Sequence, residues 1–422
     1  MRERRELSLM AVEVSPEEAV TAPTPHPLDQ DADGVNRPGL FKNPAYHEMR
    51  ETGTGVADVR RPDGSIAKLI TRYHDVEQVL RNHAVFSREA AADADDVDLE
   101  GTLLGLDPDE HTSVRGSVRD WFTPRAVERL RDTAVERAAA QLKVMVERGE
   151  PADLVTEFSL PFSLNLVCDM LGLPQDGRLR FREWGDAFLG TTEQTRIGAD
   201  EALISMVAYM SELVEERRHA PGDDLLSQVA VGGAHLSPDR QIKLPITLVL
   251  GGWETVASSV GIQVHALLTH PYGDYETAYS YLTDHPEAVP GAVTELERMF
   301  SVTAADAMPR RVVQDVTLPS GAQLRKGDLV IPSSDAANYD PRVFDDPHRM
   351  DFARDPNRHL SFGYGVHHCI GRHLGHLEVV TAMALLTREL PALRLAVPSE
   401  EIVYKPGHAV LGPKALPVAW SG

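Results

Sequence analysis

The stretch His359-Leu-Ser-Phe-Gly-Tyr-Gly-Val-His-His-Cys-Ile-Gly-Arg-His-Leu-Gly375 constrains this chain more than any other. It sets Cys369, one of only two cysteines, in a glycine-rich loop that runs straight into an amphipathic helical pattern. A thiol placed where a helix begins lies near unpaired backbone N–H groups, which favour the thiolate. Gly363, Gly365 and Gly371 let the backbone turn sharply and press against a flat ligand. The other cysteine, Cys168, sits in the apolar run 162–168 and reads as a packed core thiol.

With 422 residues the chain exceeds one ordinary domain, yet no serine- or proline-rich linker divides it and no repeat period emerges. One large fold over residues 26–422, with a core big enough to enclose a cofactor, is expected. Residues 1–25, rich in Glu, Pro, Ala and Thr, read as a poorly ordered tail. Two cysteines exclude a disulfide framework and fit a reducing, cytoplasmic setting. A formal net charge of −22 argues against nonspecific binding to nucleic acid or anionic lipid. The N-terminal twenty residues hold no continuous apolar run of the kind a membrane anchor or secretory signal needs.

Hydrophobic periodicity gives a mainly α chain with a minor β region. Residues 65–72, after Arg61-Pro-Asp-Gly64, read as a hairpin strand, and 75–81 has helical spacing. The acidic segment 90–101 reads as a loop. From His111 to about Arg218 the pattern is mostly amphipathic helix, with breaks at Thr123-Pro124, Gly149-Glu-Pro151, Leu173-Pro174 and near Gly190. Leu244 opens the most apolar helix, with Pro245 expected in its first turn. Short strands follow within 311–318, 323–325 and 328–332. Residues 366–390 return to loop and helix, and the end of the chain reads as strand-like pieces.

Inside the apolar helix, Gly251-Gly252-Trp253-Glu254-Thr255 places a carboxylate and a hydroxyl where burial costs free energy. Each glycine costs about 1 kcal/mol relative to alanine in a helix. Such penalties mark either a helix crossing or a functional distortion in which a carbonyl meets water or a hydroxyl. Elsewhere, Glu295 and Arg298 have i,i+3 helical spacing, which alone suggests a surface ion pair. His111 and Arg115 lie one turn apart after a helix-start signal and can address an anion together.

The pattern Phe362-Gly363-x-Gly365-x-His367-x-Cys369-x-Gly371 resembles the haem-binding loop of the cytochrome P-450 family. Gly251-Gly252-x-Glu254-Thr255 resembles its oxygen-activating motif, with Gly251 in a place held by alanine or glycine. Glu295-x-x-Arg298 and His111-x-x-x-Arg115 match further family motifs, and the order of all of them agrees from about residue 27 onward. The resemblance implies a mainly helical triangular prism with haem b (iron protoporphyrin IX) between the Leu244 helix and the Cys369 loop. Cys369 would be the iron ligand, and Thr255 and Glu254 would serve oxygen activation and proton relay. His111, Arg115, His367 and Arg310, favoured over Arg311, would meet the haem propionates. Glu295 and Arg298 would become a buried pair behind the loop, with Glu297 a bystander.

The implied reaction activates O2 and inserts one oxygen atom, by hydroxylation or epoxidation, into a small organic molecule. No flavin or dinucleotide fingerprint and no iron–sulfur cysteine set occurs, so the family expectation is electrons from a ferredoxin and its reductase. Arg372, His373 and His376 form a candidate docking surface on a monomeric, non-membrane enzyme that binds no nucleic acid. The small residues of 302–308 suggest room for a bulky polyketide or macrolide. The acidic residues Asp93, Asp95, Asp96, Asp98 and Glu100 suggest an amino sugar or, as the plainer reading, a solvated loop. A peroxide-driven haem enzyme and a non-catalytic haem-thiolate ligand-binding protein are the competing classes. The former usually lacks the acid–alcohol pair and the latter does not need it. Gly375 stands where the family usually has alanine, and the link 271–280 is longer than usual.

Overall fold

The computed structural model describes residues 24–25, 44–61, 63–94, 99–190, 197–303, 308–405 and 408–421. The turn at Asp63-Gly64 sets the first hairpin. Ser65 N–H donates to Asp63 Oδ1 at 2.8 Å, and Gly64 takes a positive φ of 83°. The flanking strands β2 (Val56–Arg60) and β3 (Ile66–Ile70) pair antiparallel. Ahead of them, β1 (Thr24–Pro25) runs parallel to β2, so the paired chain reaches into the span expected as tail. Residues 1–23 of that span lie outside the described residues.

The sheet continues through later strands. These are β4 (Phe86–Ser87), β6 (Arg310–Val312) and β9 (Leu329–Pro332), and the order is β1-β2-β3-β9-β6-β4. A smaller sheet joins β5 (Ala152–Asp153), β10 (Arg394–Leu395) and β11 (Pro417–Ala419), with β11 in the centre. A third pairs β7 (Val316–Thr317) with β8 (Gln323–Leu324). Instead of the loop expected at 90–101, Glu89–Ala94 forms 3-10 turns, because Ser87 Oγ accepts from Ala90 N at 2.9 Å and starts the turn. Asp95, Asp96 and Asp98 of the acidic cluster lie outside the described residues.

Helices make up the larger part of the described chain. Before the central helix come α1 (Pro44–Glu51), α2 (Tyr73–Arg81), α3 (Pro108–Gly116), α4 (Pro124–Glu128) and α5 (Arg131–Arg148). Then follow α6 (Leu160–Leu171), α7 (Gln175–Phe188), α8 (Ala199–His219) and α9 (Leu225–Ser227). The central helix is α10 (Pro238–Thr269), of 32 residues, about 48 Å at 1.5 Å per residue. After it come α11 (Ala278–Asp284), α12 (Val289–Met299), α13 (Ser334–Ala337) and α14 (Arg372–Glu389).

The start of α10 corrects the sequence reading. The helix begins at Ser237-Pro238, where Ser237 Oγ accepts from Arg240 N at 3.3 Å and Pro238 occupies the first turn. Pro245 therefore sits in the helix interior, where it has no N–H for the Gln241 carbonyl. The polar opening Asp239-Arg240-Gln241 hid the real start from a pattern tuned to apolar residues. From Leu244 onward α10 is buried nearly all round, against α6, α8 and α14. Burial on several sides holds its backbone in place, so side chains on its open stretch have fixed positions.

Candidate active site

The cysteine loop is a tight backbone reversal. Phe362 C=O accepts from Cys369 N at 2.8 Å, and Leu360 C=O accepts from Gly363 N at 2.8 Å. Gly363 and Gly365 take φ of 68° and 73°, conformations that glycine reaches without a Cβ penalty. A Cβ on Gly365 would lie 2.7 Å from the Leu80 carbonyl, so the loop is pressed onto the end of α2. Gly371 differs from the reading above: its φ is −83° and it caps α14, so it makes no left-handed turn. A Cβ there would face Cys369 Sγ at 4.0 Å, and smallness leaves the thiol clear.

Cys369 is exposed at its surface yet crowded by protein a little further out. That crowding pushes the thiol pKa up, against the pull of the Gly371 and Arg372 N–H groups and the Arg115 charge. The helix-start effect expected from sequence is present and is outweighed by burial. A bound metal cation would reverse that balance, since coordination holds a thiol deprotonated.

Beside the loop lies an unusual cluster. His111 is 1% exposed, and neither of its ring nitrogens has a hydrogen-bond partner among the described residues. Its ring stands 4.3 Å from that of His367, whose Nε2 is also buried and unpartnered. Burial and then the Arg115 charge push His111 down to about 4. Burial, followed by Arg310, His111, Arg88 and Arg115, pushes His367 down to about 2. Of the two residues expected to address an anion, His111 would thus do so as a neutral hydrogen-bond donor and Arg115 as the cation. Unpartnered donors among several guanidinium groups are what a pair of carboxylates would satisfy, so these residues fit haem propionates.

Arg310 and Arg311 part company here. Arg310 is 3% exposed and within electrostatic reach of His367, and its Nη1 donates to the Met308 carbonyl at 3.0 Å. Arg311 turns the other way, as alternate residues of a strand must, and pairs with Asp93 at 2.7 Å. That pair also commits Asp93, the described aspartate of the acidic cluster. Arg115 Nη2 donates to the His368 carbonyl at 2.7 Å and so braces the cysteine loop. Arg88, which sequence reasoning missed, is buried in the same cluster and donates to the Leu104 carbonyl at 3.1 Å.

On α10 the two glycines have different reasons. A Cβ on Gly252 would stand 3.0 Å from Val167 of α6, so this glycine permits a close helix crossing. A Cβ on Gly251 would meet nothing within 4 Å, so this one faces the open side. Thr255 Oγ1 donates to the Gly251 carbonyl at 2.6 Å, and α10 runs through the motif as continuous helix. Trp253 is fully buried and packs against Gly185 of α7, where an added Cβ would lie 2.6 Å from its ring. Glu254 is 3% exposed and ion-paired with Lys405, while its Oε2 has no hydrogen-bond partner among the described residues. Asp186 of α7 is raised by burial and by the Glu254 charge. Lys405 and Asp186 stand far from the motif in sequence, and no local pattern marks them.

Behind the loop, Glu295 and Arg298 form a fully buried ion pair at 2.8 Å. Arg298 Nη1 donates to the Asn338 carbonyl at 2.7 Å, and Asn338 Oδ1 accepts from Leu360 N at 2.7 Å. The chain of contacts thus runs from α12 into the cysteine loop. Glu297 is no bystander: it is 7% exposed and its Oε1 lies 3.1 Å from His376 Nδ1. On the expected docking surface His376 is therefore half-buried and committed to Glu297, and Arg372 and His373 are the exposed members. α14 packs on α10 where a Cβ on Gly375 would meet Val256 at 3.5 Å, an ordinary contact. This packing sets the helix that follows Cys369 against α10 at the residue next to Thr255.

A clear thiol in a glycine loop, a cluster built for anionic carboxylates, and an acid–alcohol pair on an adjoining buried helix define a haem-thiolate oxygenase. The family model for cytochrome P-450 matches residues 289–407. The chain is 37% identical over 390 residues to a mycinamicin IV hydroxylase/epoxidase of Micromonospora griseorubida, covering 90% of this chain and 96% of that one. It is 36% identical to a nocardicin C N-oxygenase of Nocardia uniformis subsp. tsuyamanensis, again over 90% and 96%. The crystal structure of HinD with NMFT and NO shares the fold at a TM-score of 0.86 and 35% identity, covering 94% of this chain and all of that one. The protein belongs to the cytochrome P-450 family and is a monooxygenase with the family's haem-thiolate cofactor and mainly α fold. No helix among the described residues is long and apolar enough to cross a membrane.

Proposed function

We propose that the protein hydroxylates or epoxidises a bulky polyketide or macrolide, using haem b, O2 and electrons from a separate ferredoxin and its reductase. The observation that carries this reading is the acid–alcohol pair, Glu254 buried and Thr255 bonded to the Gly251 carbonyl, on the open stretch of α10 beside α14. When bound, the haem supplies reductive O2 chemistry that no side chain has. Cys369 would hold its iron, and Arg115, Arg310, His111 and His367 would hold its propionates. Phe362, Gly363 and Gly371 shape the loop around the ligating thiol.

Thr255 places a hydroxyl whose proton is committed to Gly251, leaving its oxygen free to accept a hydrogen bond on the open side. Glu254, buried one residue away, can hold a proton without admitting bulk water. This pair favours oxygen-driven turnover over a peroxide-driven or merely ligand-binding protein. The names of the mycinamicin and nocardicin relatives support a natural-product substrate, and the N-oxygenase among them shows that the bond attacked varies within the group.

The test is a panel of polyketide and macrolide ligands screened for a low- to high-spin shift in the haem spectrum, followed by product identification with a surrogate ferredoxin and its reductase. Oxygenated product from a ligand that shifts the spectrum supports the proposal. Product formed with hydrogen peroxide and never with the ferredoxin system would favour the peroxide-driven class. A ligand that shifts the spectrum yet gives no oxygenated product with either the ferredoxin system or peroxide would favour a ligand-binding protein.

A further inference from the structure

Lys405 reaches the acid of α10 across 151 positions of sequence, from a segment that no motif marks. Its Nζ pairs with Glu254 Oε1, the lysine side chain 14% exposed and the glutamate 4%. The arm that carries it, residues 403–405, pairs antiparallel with residues 412–414 as the two sides of a hairpin. Lys405 N donates to the Gly412 carbonyl at 2.9 Å, and Lys414 N to the Val403 carbonyl at 2.8 Å. Between the two arms, His408 pairs with Gly190 after α7 and Val410 pairs with Thr303.

The hairpin is docked on α10 without help from Lys405. A Cβ on Gly412 would fall 2.6 Å from Ser258 Oγ, and one on Gly261 would fall 2.9 Å from Pro413. Further along α10, His265 Nδ1 is 2.9 Å from the Tyr404 hydroxyl, and its Nε2 is 2.8 Å from Ser399 Oγ. A buried ion pair adds little net stability, because desolvation offsets its Coulomb attraction. Fastening the hairpin is thus a weak reason for this pair.

Its position offers a better one. The charged and titratable groups facing Glu254 are Lys405 and His408 on the hairpin, and Asp186 of α7 with Arg182 near it. One carboxylate oxygen is held by the ammonium group, and Ser258 Oγ adds a long contact of 3.5 Å to that same oxygen. To move a proton towards Thr255 through that oxygen, Glu254 must turn away from Lys405 or take a proton from it. In the second case an Nζ–H bond breaks and an O–H bond forms at Glu254. The amine, nearer to water than the acid, then regains its proton from solvent.

Resting on the oxygenase reading above, we propose that Lys405 is the positioning residue of Glu254, and that breaking this pair limits proton delivery towards Thr255. The pair stores the carboxylate in one place between turnovers. Its hairpin also ties that place to the backbone at Gly190 and Thr303.

The experiment uses full-length, haem-loaded protein with a surrogate ferredoxin, its reductase and NADPH. O2 consumption is followed across pH in H2O and D2O. In Lys405→Gln the solvent isotope effect should fall towards unity and the pH profile of turnover should change. Lys405→Arg, which keeps a cation, should keep the wild-type profile. An isotope effect and profile unchanged in Lys405→Gln would overturn the proposal. Glu254→Gln and Glu254→Gln/Lys405→Gln should behave alike, because Lys405 acts through Glu254; a difference between them would also overturn it.

A thermal readout needs no turnover. Lys405→Gln leaves a buried carboxylate without its cation, so it should melt below the wild type, and removing that carboxylate's charge as well, in the double variant, should recover part of the loss. A single variant that melts with the wild type would count against the pair. Failure of the oxygenase reading would show separately, as a wild-type protein with no ferredoxin-supported O2 consumption.

Discussion

Glu295 is the most heavily used carboxylate behind the haem loop. It accepts from Arg298 Nε and Nη2 at 2.8 Å each, from Asp351 N at 3.1 Å, from Arg354 Nε at 3.1 Å and from Asn357 Nδ2 at 2.9 Å. Removing its charge strands two guanidinium groups in the interior. Glu295→Gln should destabilise the holoenzyme by about 3–5 kcal/mol, the cost of breaking a buried pair, measured by urea unfolding followed by circular dichroism. A loss below about 1 kcal/mol would assign it the weight of a surface pair. Cys369→Ala, by contrast, should fold and lose the strongly red-shifted carbonyl spectrum together with all oxygenase turnover. Both residues were legible in the sequence because their motifs are local. Glu297 was misjudged because i,i+3 spacing names a partner on its own helix and says nothing of His376, 79 positions away. Lys405 was invisible for the same reason at greater range.

At the scale of elements, the loop depends on a backbone conformation as much as on a thiol. Gly365→Ala would meet both a φ of 73° and a carbonyl at 2.7 Å, and that carbonyl belongs to the backbone of α2 and cannot swing aside. The left-handed penalty alone is about 1–2 kcal/mol, and the contact adds to it. The expected outcome is a lower ratio of haem to protein after purification, read from the Soret absorbance. Full haem occupancy would show that the loop shifts without cost. The strand and helix types were largely readable from periodicity, as in β3 and α2. The N-terminus of α10 was not, because its cap and polar first turn precede the apolar run and Pro245 offers a false start. The turn at 89–94 escaped for a different reason: six residues are too few for a period to show.

For the whole molecule, acid should be the weak side. His265 is 3% exposed, and burial followed by the His270 charge pushes it down to about 4, against 6.5 when free. Because the folded value is the lower one, unfolding takes up a proton below pH 6.5. The stability it represents is complete above that pH and is lost as pH falls towards 4. The full loss is about 3 kcal/mol for this residue alone. Thermal melts of the holoenzyme between pH 7 and 4 should show the decline, and His265→Gln should flatten it. A slope unchanged in that variant would place the acid sensitivity elsewhere.

The three-stranded sheet has a practical side. Its middle strand, β11, ends at Ala419, and the Trp420 and Ser421 amides both donate to Glu150 Oε2. A pull exerted beyond Ser421 is therefore carried to the middle strand of a sheet and not to its edge. Workers who tag, fuse or immobilise the protein beyond Ser421 are handling the centre of a sheet and not a loose tail.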